Sequence, residues 1–276
     1  MTIYLRADRA VFRFSGPEAH KLLNDVVTGP IPSQDTEAAA WWALLSPQGK
    51  ILAEGLAGHA DDALWFDVHA SVADDFFKRM KMYRLRAQVV IEDLRETHLA
   101  GFTSGDRPAG LVHADRRGSG GLGWRVIAPI ADTAEWNPSD SAYLIARATN
   151  GIAEQGADFP ANDTFAHDIG LDILDGIDFA KGCYVGQEVV SRMKHRGTAR
   201  RRPVLVSGIV SGASTAIVAN GRDAGTVGSV IDGRAVAIMR LDRITDPSAV
   251  TVDGKPVSVA LPTWATYTFG ETTPDE

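Results

Sequence analysis

The sequence predicts an α+β chain that ends in a separate antiparallel β-barrel. Over the first 97 residues, strand and helix periods follow the order strand, helix, strands, helix, strand, with ferredoxin-like logic. A second strand-rich segment then closes on one helix near residue 150. From about residue 200 helical periodicity gives way to short β-rich runs punctuated by Gly and Asp turns, the pattern of a small barrel or sandwich.

RAVFRF, residues 9 to 14, reads as the first strand. SGPEAHKLLNDVV follows, with Ser15 as N-cap and Glu18 three residues on, a capping box. Ala19, Leu22, Leu23, Val26 and Val27 then form one apolar stripe on a helix face. WWALL (41 to 45), KILAEGLA (50 to 57) and ALWFDV (63 to 68) are strands, because SPQG and GHADD between them are turn chemistry. A second amphipathic helix spans about Val72 to Tyr83, and RAQVVIED returns as a strand. HLAGF, GLVHAD and WRVIAPI are the strands of the next segment, followed by a helix from about Asp140 to Thr149 that Asn150 and Gly151 stop. GSGGLG (118 to 123) has dinucleotide-fingerprint spacing but precedes a strand instead of opening a helix, so it reads as a hairpin loop. VLVSGIV, TAIVANG, GTVGSVI, AVAIMRL, VTVDG and PVSVALP supply the barrel, and the tail GETTPDE carries no signal of order.

At 276 residues, 45% hydrophobic and 23% charged, the chain has ordinary globular composition. Its longest apolar run, AAAWWALL from Ala38 to Leu45, is far shorter than the ~20 residues of a membrane span. MTIYLRADRA lacks the apolar stretch of a signal peptide, so a cytoplasmic protein without a membrane segment is expected. A single cysteine excludes an internal disulfide and any zinc site built on paired cysteines; metal ligation requires a partner. The net charge of −7 argues against general nucleic-acid binding. The span from Val189 to Arg222, however, has no acidic residue and carries Arg192, Lys194, Arg196, Arg200, Arg201, Arg202 and Arg222. It reads either as an anion-attracting surface or as a solvated face.

Between Gly151 and Gly197 the pattern turns irregular, rich in Gly and Asp yet studded with Ile, Leu and Phe, as binding regions often are. This stretch contains KGCYVGQE, residues 181 to 188, and with it the lone Cys183. Lys181 lies two residues before the thiol, and a helix starting at VGQEVVSRM places the thiol near a helix N-terminus; both favour thiolate. Gly182 and Gly186 permit unusual backbone angles, while Gln187 and Glu188 offer amide and carboxylate groups to a polar heterocycle. Local chemistry leaves two readings of Cys183, a reactive thiol and a small buried apolar residue. Hydrolase, NTPase and metalloprotease motifs are lacking.

KGCYVGQE resembles the signature K-G-C-[FY]-x-G-Q-E of the YgfZ-type folate-binding proteins, which are related to the T-protein (aminomethyltransferase) of the glycine cleavage system. LLNDVV (22 to 27), LLSPQGKILAE (44 to 54), MYRLRAQV (82 to 89), and RATNGIAEQGADF with AHDIGLD are similar to further segments of that family, in the same order. The resemblance implies a GcvT/YgfZ-like ring of three subdomains around a central folate site. Residues 1–97 would form an N-terminal folate-binding subdomain, 98–199 a second α+β subdomain bearing the signature, and 200–270 the barrel. It also implies a tetrahydrofolate-binding accessory protein for iron-sulfur cluster assembly or repair, serving cluster-dependent enzymes that include tRNA-modifying ones. Cys183 and Lys181 are then the reactive centre. Asn24, Asp25, Tyr83, Arg84, Arg147, Gln187 and Glu188 become the candidates for holding tetrahydrofolate or a one-carbon derivative.

Each of these positions also has a local reading: Tyr83 completes an apolar stripe, Asn24 and Asp25 lie on a solvated side, and Arg147 makes a surface salt bridge. The alternative is a folate-dependent, aminomethyltransferase-like enzyme. Ala53-Glu54 stand where those enzymes carry Asp-Asp, and Thr149 stands near their pteridine-holding Glu, so whether this scaffold catalyses a reaction stays open.

Overall fold

The computed structural model describes residues 1–197 and 199–270, so most of the tail GETTPDE lies outside the described residues. Strands β1 (Tyr4–Leu5) and β2 (Arg9–Ser15) lead into helix α1 (Ala19–Val26). The chain continues through β3 (Ala40–Leu45), β4 (Ile51–Ala60), β5 (Ala63–His69), α2 (Ala73–Arg84) and β6 (Val90–Asp93). These build an antiparallel sheet in the order β3-β4-β5-β2-β6. On one of its faces, Leu23 of α1 and Phe76 and Met80 of α2 pack on Phe12, Phe14, Trp42 and Phe66. The Phe76 ring lies 5.2 Å from Phe12 and 5.5 Å from Trp42.

The capping box does not form. Ser15 closes β2 by pairing with Ala63 and Val90, and α1 starts four residues later, behind Glu18. The Glu18 carboxylate instead accepts from the Gln88 amide at 2.6 Å. Gly16 lets the chain turn there: its φ is +108°, and a Cβ would sit 2.5 Å from the Gln88 carbonyl oxygen. Tertiary contact with the 84–89 turn therefore overrides the local cap.

Strands β7 (His98–Thr103), β8 (Leu111–Asp115) and β9 (Gly123–Pro129) follow, then α3 (Ser141–Asn150). They form the sheet β1-β7-β9-β8, which recruits Tyr4–Leu5 from the far end of the sequence. GSGGLG is the turn of the antiparallel β8–β9 hairpin, as expected. Ala100 and Ile127 of this sheet cover Val11 and Trp65 on the second face of the first sheet. With both faces buried, WWALL and ALWFDV run almost continuously apolar.

His113 of β8 packs on Gly58 of β4, its ring 2.3 Å from where a Cβ would stand. Burial, reinforced by Arg125, pushes His113 down to about 4. The unfolded chain takes up this proton near pH 6.5, so the contribution of neutral His113 is complete above that pH and is lost as pH falls toward 4. Stability measured in denaturant is expected to drop by ~2 kcal/mol from this group between pH 7.5 and 5. A His113→Gln chain should lack that part of the drop.

Helix α4 (Gln187–Arg196) precedes the barrel, whose strands are β10 (Arg201–Ser207), β11 (Ala216–Ala219), β12 (Arg222–Val227), β13 (Arg234–Arg240), β14 (Val250–Val252), β15 (Lys255–Pro256) and β16 (Ser258–Ala260). They order as β15-β14-β11-β12-β13-β10-β16 around a core that includes Val204, Ile217, Ala237 and Met239. The irregular segment is structural glue. Its Ala153, Phe159, Ile169, Leu171, Ile177 and Tyr184 share one core with Trp41, Leu45 and Ile51 of the first sheet and Val236 and Ile238 of the barrel.

Candidate functional site

The octet 181–188 forms an ordered turn. Tyr184 anchors it, buried in the core between first sheet and barrel. Gly186, at φ +83°, is the N-cap of α4, and a Cβ there would lie 2.8 Å from the Ser46 carbonyl oxygen. Only glycine brings the helix start this close to the end of β3. Immediately before these anchors Cys183 is exposed, so the reading of it as buried filler is wrong.

Lys181 does not serve the thiol as expected. Its Nζ donates to the Val27 carbonyl at 2.5 Å and the Gly29 carbonyl at 2.8 Å. Burial brings its ammonium down to about 8, against the pull of Asp178 and Asp25. The Asp178 carboxylate accepts from the amides of Ala180 and Lys181 at 2.9 and 3.2 Å. Lys181 thus clamps the cysteine turn onto the chain following α1, close to Asp25.

The seven proposed folate residues do not meet in one pocket. Asn24 is half-buried on α1, and exposed Asp25 pairs with Lys21 at 2.5 Å. Gln187 and Glu188 open α4, beside the cysteine turn. Tyr83 and Arg84 end α2 next to the Gln88 turn that Glu18 holds, at the opposite end of α1 from Lys181. Arg147 is buried, ion-paired with Asp158 and donating to the Ile152 carbonyl at 2.9 Å. A folate carboxylate has no access to it in this arrangement.

The molecular centre holds residues the sequence reading passed over. Glu154 Oε2 accepts from Arg6 Nη2 at 2.9 Å, and its Oε1 accepts from the Tyr143 hydroxyl at 2.8 Å. Arg117 forks onto Asp115 at 2.9 and 2.6 Å and donates to Tyr143 at 3.0 Å. Asp67 is shared by Arg9, at 2.6 Å, and Arg125. Burial opposes the charge on Glu154, but Arg6, Arg9, Arg117 and Arg147 overcome it and hold the carboxyl below the usual range. Glu54 moves the other way, raised by burial despite Arg9. Trp41 Nε1 and the Gln155 amide donate to it at 2.8 and 3.1 Å.

The space left inside this network is a cavity of about 20 Å³. Beside it opens a cleft of about 550 Å³ lined by Pro30, Pro32, Glu37, Trp41, Arg116 and Arg117, among others. Arg117 borders both, and its Nη1 is buried without a hydrogen-bond partner among the described residues. The basic run is largely neutralised where it enters the barrel. Arg201 pairs with Asp168 at 2.8 Å and Arg202 with Asp172 at 2.7 Å, so these two arginines do not form an open anion-attracting surface.

Over 97% of this chain and 87% of the other, the structure superimposes on the glycine cleavage system aminomethyltransferase T of Bartonella henselae with a TM-score of 0.73. The fold is that of an aminomethyltransferase. Sequence identity is 15%, so this likeness concerns the fold alone. Residues 199–267 match the family model of the CAF17 C-terminal beta-barrel domain. The chain is also similar to iron-sulfur cluster assembly factor IBA57, mitochondrial, of Mus musculus, at 27% identity over 93% of this chain and 83% of that protein. The IBA57 homolog of Chaetomium globosum is 30% identical over 71% of this chain and 54% of its own length. This chain spans about half the length of the fungal relatives. The names of these relatives place them in mitochondria, which overturns the cytoplasmic expectation.

Proposed function

We propose that this protein is an accessory factor of iron-sulfur cluster assembly, with Cys183 as the group that meets the cluster. The similarity to assembly factors named IBA57 extends over 93% of the chain, and this is the observation that carries the reading. The position of Cys183 adds the chemistry: a solvent-facing thiol on a clamped turn at the start of α4. Among the described residues no group of three His, Cys, Asp or Glu side chains is placed to hold a metal ion. The cluster is therefore cargo shared with a second protein that contributes the other ligands. The octet 181–188 works here as a YgfZ-type signature, and the clients include cluster-dependent tRNA-modifying enzymes.

Tetrahydrofolate belongs to the same proposal, at a different place from the one expected. The centre is too small for a pteridine, whereas the cleft above Arg117 is of folate size. The unpartnered Arg117 Nη1 and exposed Arg116 supply donors for the pterin carbonyl and glutamate carboxylates, and Trp41 supplies an aromatic wall. A bound reduced folate would bring one-carbon or reducing chemistry; the protein's part is to bind and orient it.

The test combines transfer and titration. Adding the purified chain to a cluster donor and an apo [4Fe–4S] client is expected to raise client activity. Tetrahydrofolate is expected to bind saturably, with binding weakened by Arg116→Ala and unchanged by Tyr83→Phe. No stimulation sinks the assembly role; no saturable signal sinks the folate part.

A further inference from the structure

We propose that the turn between α2 and β6 is a docking tip for a partner protein that presents an apolar pocket rimmed by carboxylates. The turn is tight: the Ala87 amide donates to the Arg84 carbonyl at 2.7 Å. Leu85 sits at its first central position with φ 45° and ψ −106°, the backbone of a type II′ turn, in which glycine is the unstrained residue. The side chain that incurs this strain is 83% exposed, so nothing in its own fold repays the conformation. Met82, 57% exposed, and Val90, 56% exposed, extend the apolar surface on either side. Val90 belongs to β6, which pairs with β2 alone at the sheet edge.

Charge selects the partner. Lys78, Arg79, Lys81, Arg84 and Arg86 fall within nine residues, and no acidic residue lies between Asp75 and Glu92, in a chain of net charge −7. Among the described residues, Lys78, Arg84 and Arg86 have no ion pair of their own, whereas Arg79 is held by Asp75 at 2.6 Å. A rigid, strained apolar knob ringed by cations suits a preformed socket with carboxylates at its rim. An anionic bilayer is the weaker match: the exposed tip has no tryptophan or phenylalanine and only three apolar side chains.

The tip also stands in reach of Cys183. It touches the N-terminal end of α1 through Glu18, and Lys181 fastens the cysteine turn just past the C-terminal end. Eight helical residues separate them, about 12 Å of axis. A partner with a footprint of about 800 Å² covers both.

The choice of probe rests on the assembly reading: an acidic carrier protein loaded with a [2Fe–2S] cluster, titrated against the full chain. Leu85→Ser and the pair Arg84→Glu with Arg86→Glu are each expected to weaken its binding at least tenfold. Leu85→Gly should do the same while raising Tm, which separates lost docking from lost folding. Val210→Ser, at a 71%-exposed site on the barrel, should bind as the parent does. The proposal is overturned if the carrier does not bind the parent chain, if it binds the Leu85 variants equally well, or if phosphatidylserine vesicles take up the parent and reject Leu85→Ser. Binding of the carrier by the parent chain with no stimulation of the apo client would sink the assembly reading and leave the docking tip standing, and unchanged cluster transfer by Cys183→Ala would sink only the role given to Cys183.

Discussion

Replacing Glu154 by alanine is expected to destabilise the protein by ~3–5 kcal/mol, the usual cost of removing one partner from a buried ion-pair network. Glu154 is 3% exposed and receives Arg6 and the Tyr143 hydroxyl, with Arg9 at 3.6 Å. Alanine leaves those guanidiniums together without their common counter-charge. The carboxylates that remain nearby are already engaged: Asp67 by Arg125, Asp115 by Arg117, and Glu54 by Trp41 and Gln155. Denaturant unfolding of the two chains measures the loss directly, and the corresponding fall in Tm is on the order of 10 °C for a chain of this size. Glu154→Gln keeps one acceptor oxygen, puts an NH2 donor in place of the other and loses the charge, so it should fall between parent and alanine. A loss below ~1 kcal/mol for Glu154→Ala would show that the centre is open to water.

Cys183→Ala should behave in the opposite way, with stability unchanged within ~0.5 kcal/mol and cluster transfer abolished. An exposed side chain has little to contribute to folding. Its chemical role has no substitute, since the chain has no other cysteine. Lys181→Met provides the contrast. It releases the clamp on the Val27 and Gly29 carbonyls and should lower transfer by displacing the turn while the thiol remains. Iodoacetamide labelling with and without the cluster donor reads the thiol itself: protection by the loaded donor in the parent chain is the expected outcome, and labelling indifferent to the donor contradicts ligation by Cys183.

The regular elements were legible because their periodicity is local. The α1 stripe of Ala19, Leu22, Leu23 and Val26 is buried as read, and most strands of the three sheets lie where alternation and turn residues placed them; the two-residue strand Tyr4–Leu5 was missed, and PVSVALP divides into β15 and β16. The capping box failed because the nearest competitor of a local cap, the Gln88 amide, is 70 residues away from Glu18. The centre was illegible for the same reason on a larger scale. Arg6 meets Glu154 across 148 residues, and Arg125 meets Asp67 across 58. One signal was available: Glu54 within ILAEGLA, Asp67 within ALWFDV and Arg125 within WRVIAPI are each a single charge set inside an apolar strand. A charge in such a strand has to be paired when both faces are covered. Leu85 was hidden because nothing in MYRLRAQV marks a turn; strain of that kind shows only in the backbone.

The short strand Tyr4–Leu5 pairs with Phe102 and Gly101, so the beginning of the chain is stitched to a sheet that emerges from the ribosome about a hundred residues later. Arg6 follows it immediately and waits longer still, for Glu154. Residues 9–93 can collapse on their own aromatic core as soon as they are made, with Arg9 already paired to Asp67, yet Arg6 lacks its buried partner until Glu154 has been synthesised. Vectorial synthesis thus imposes an order on assembly, with the rim first and the charged hub last, and a truncated chain ending before Glu154 exposes its unfinished centre to quality control.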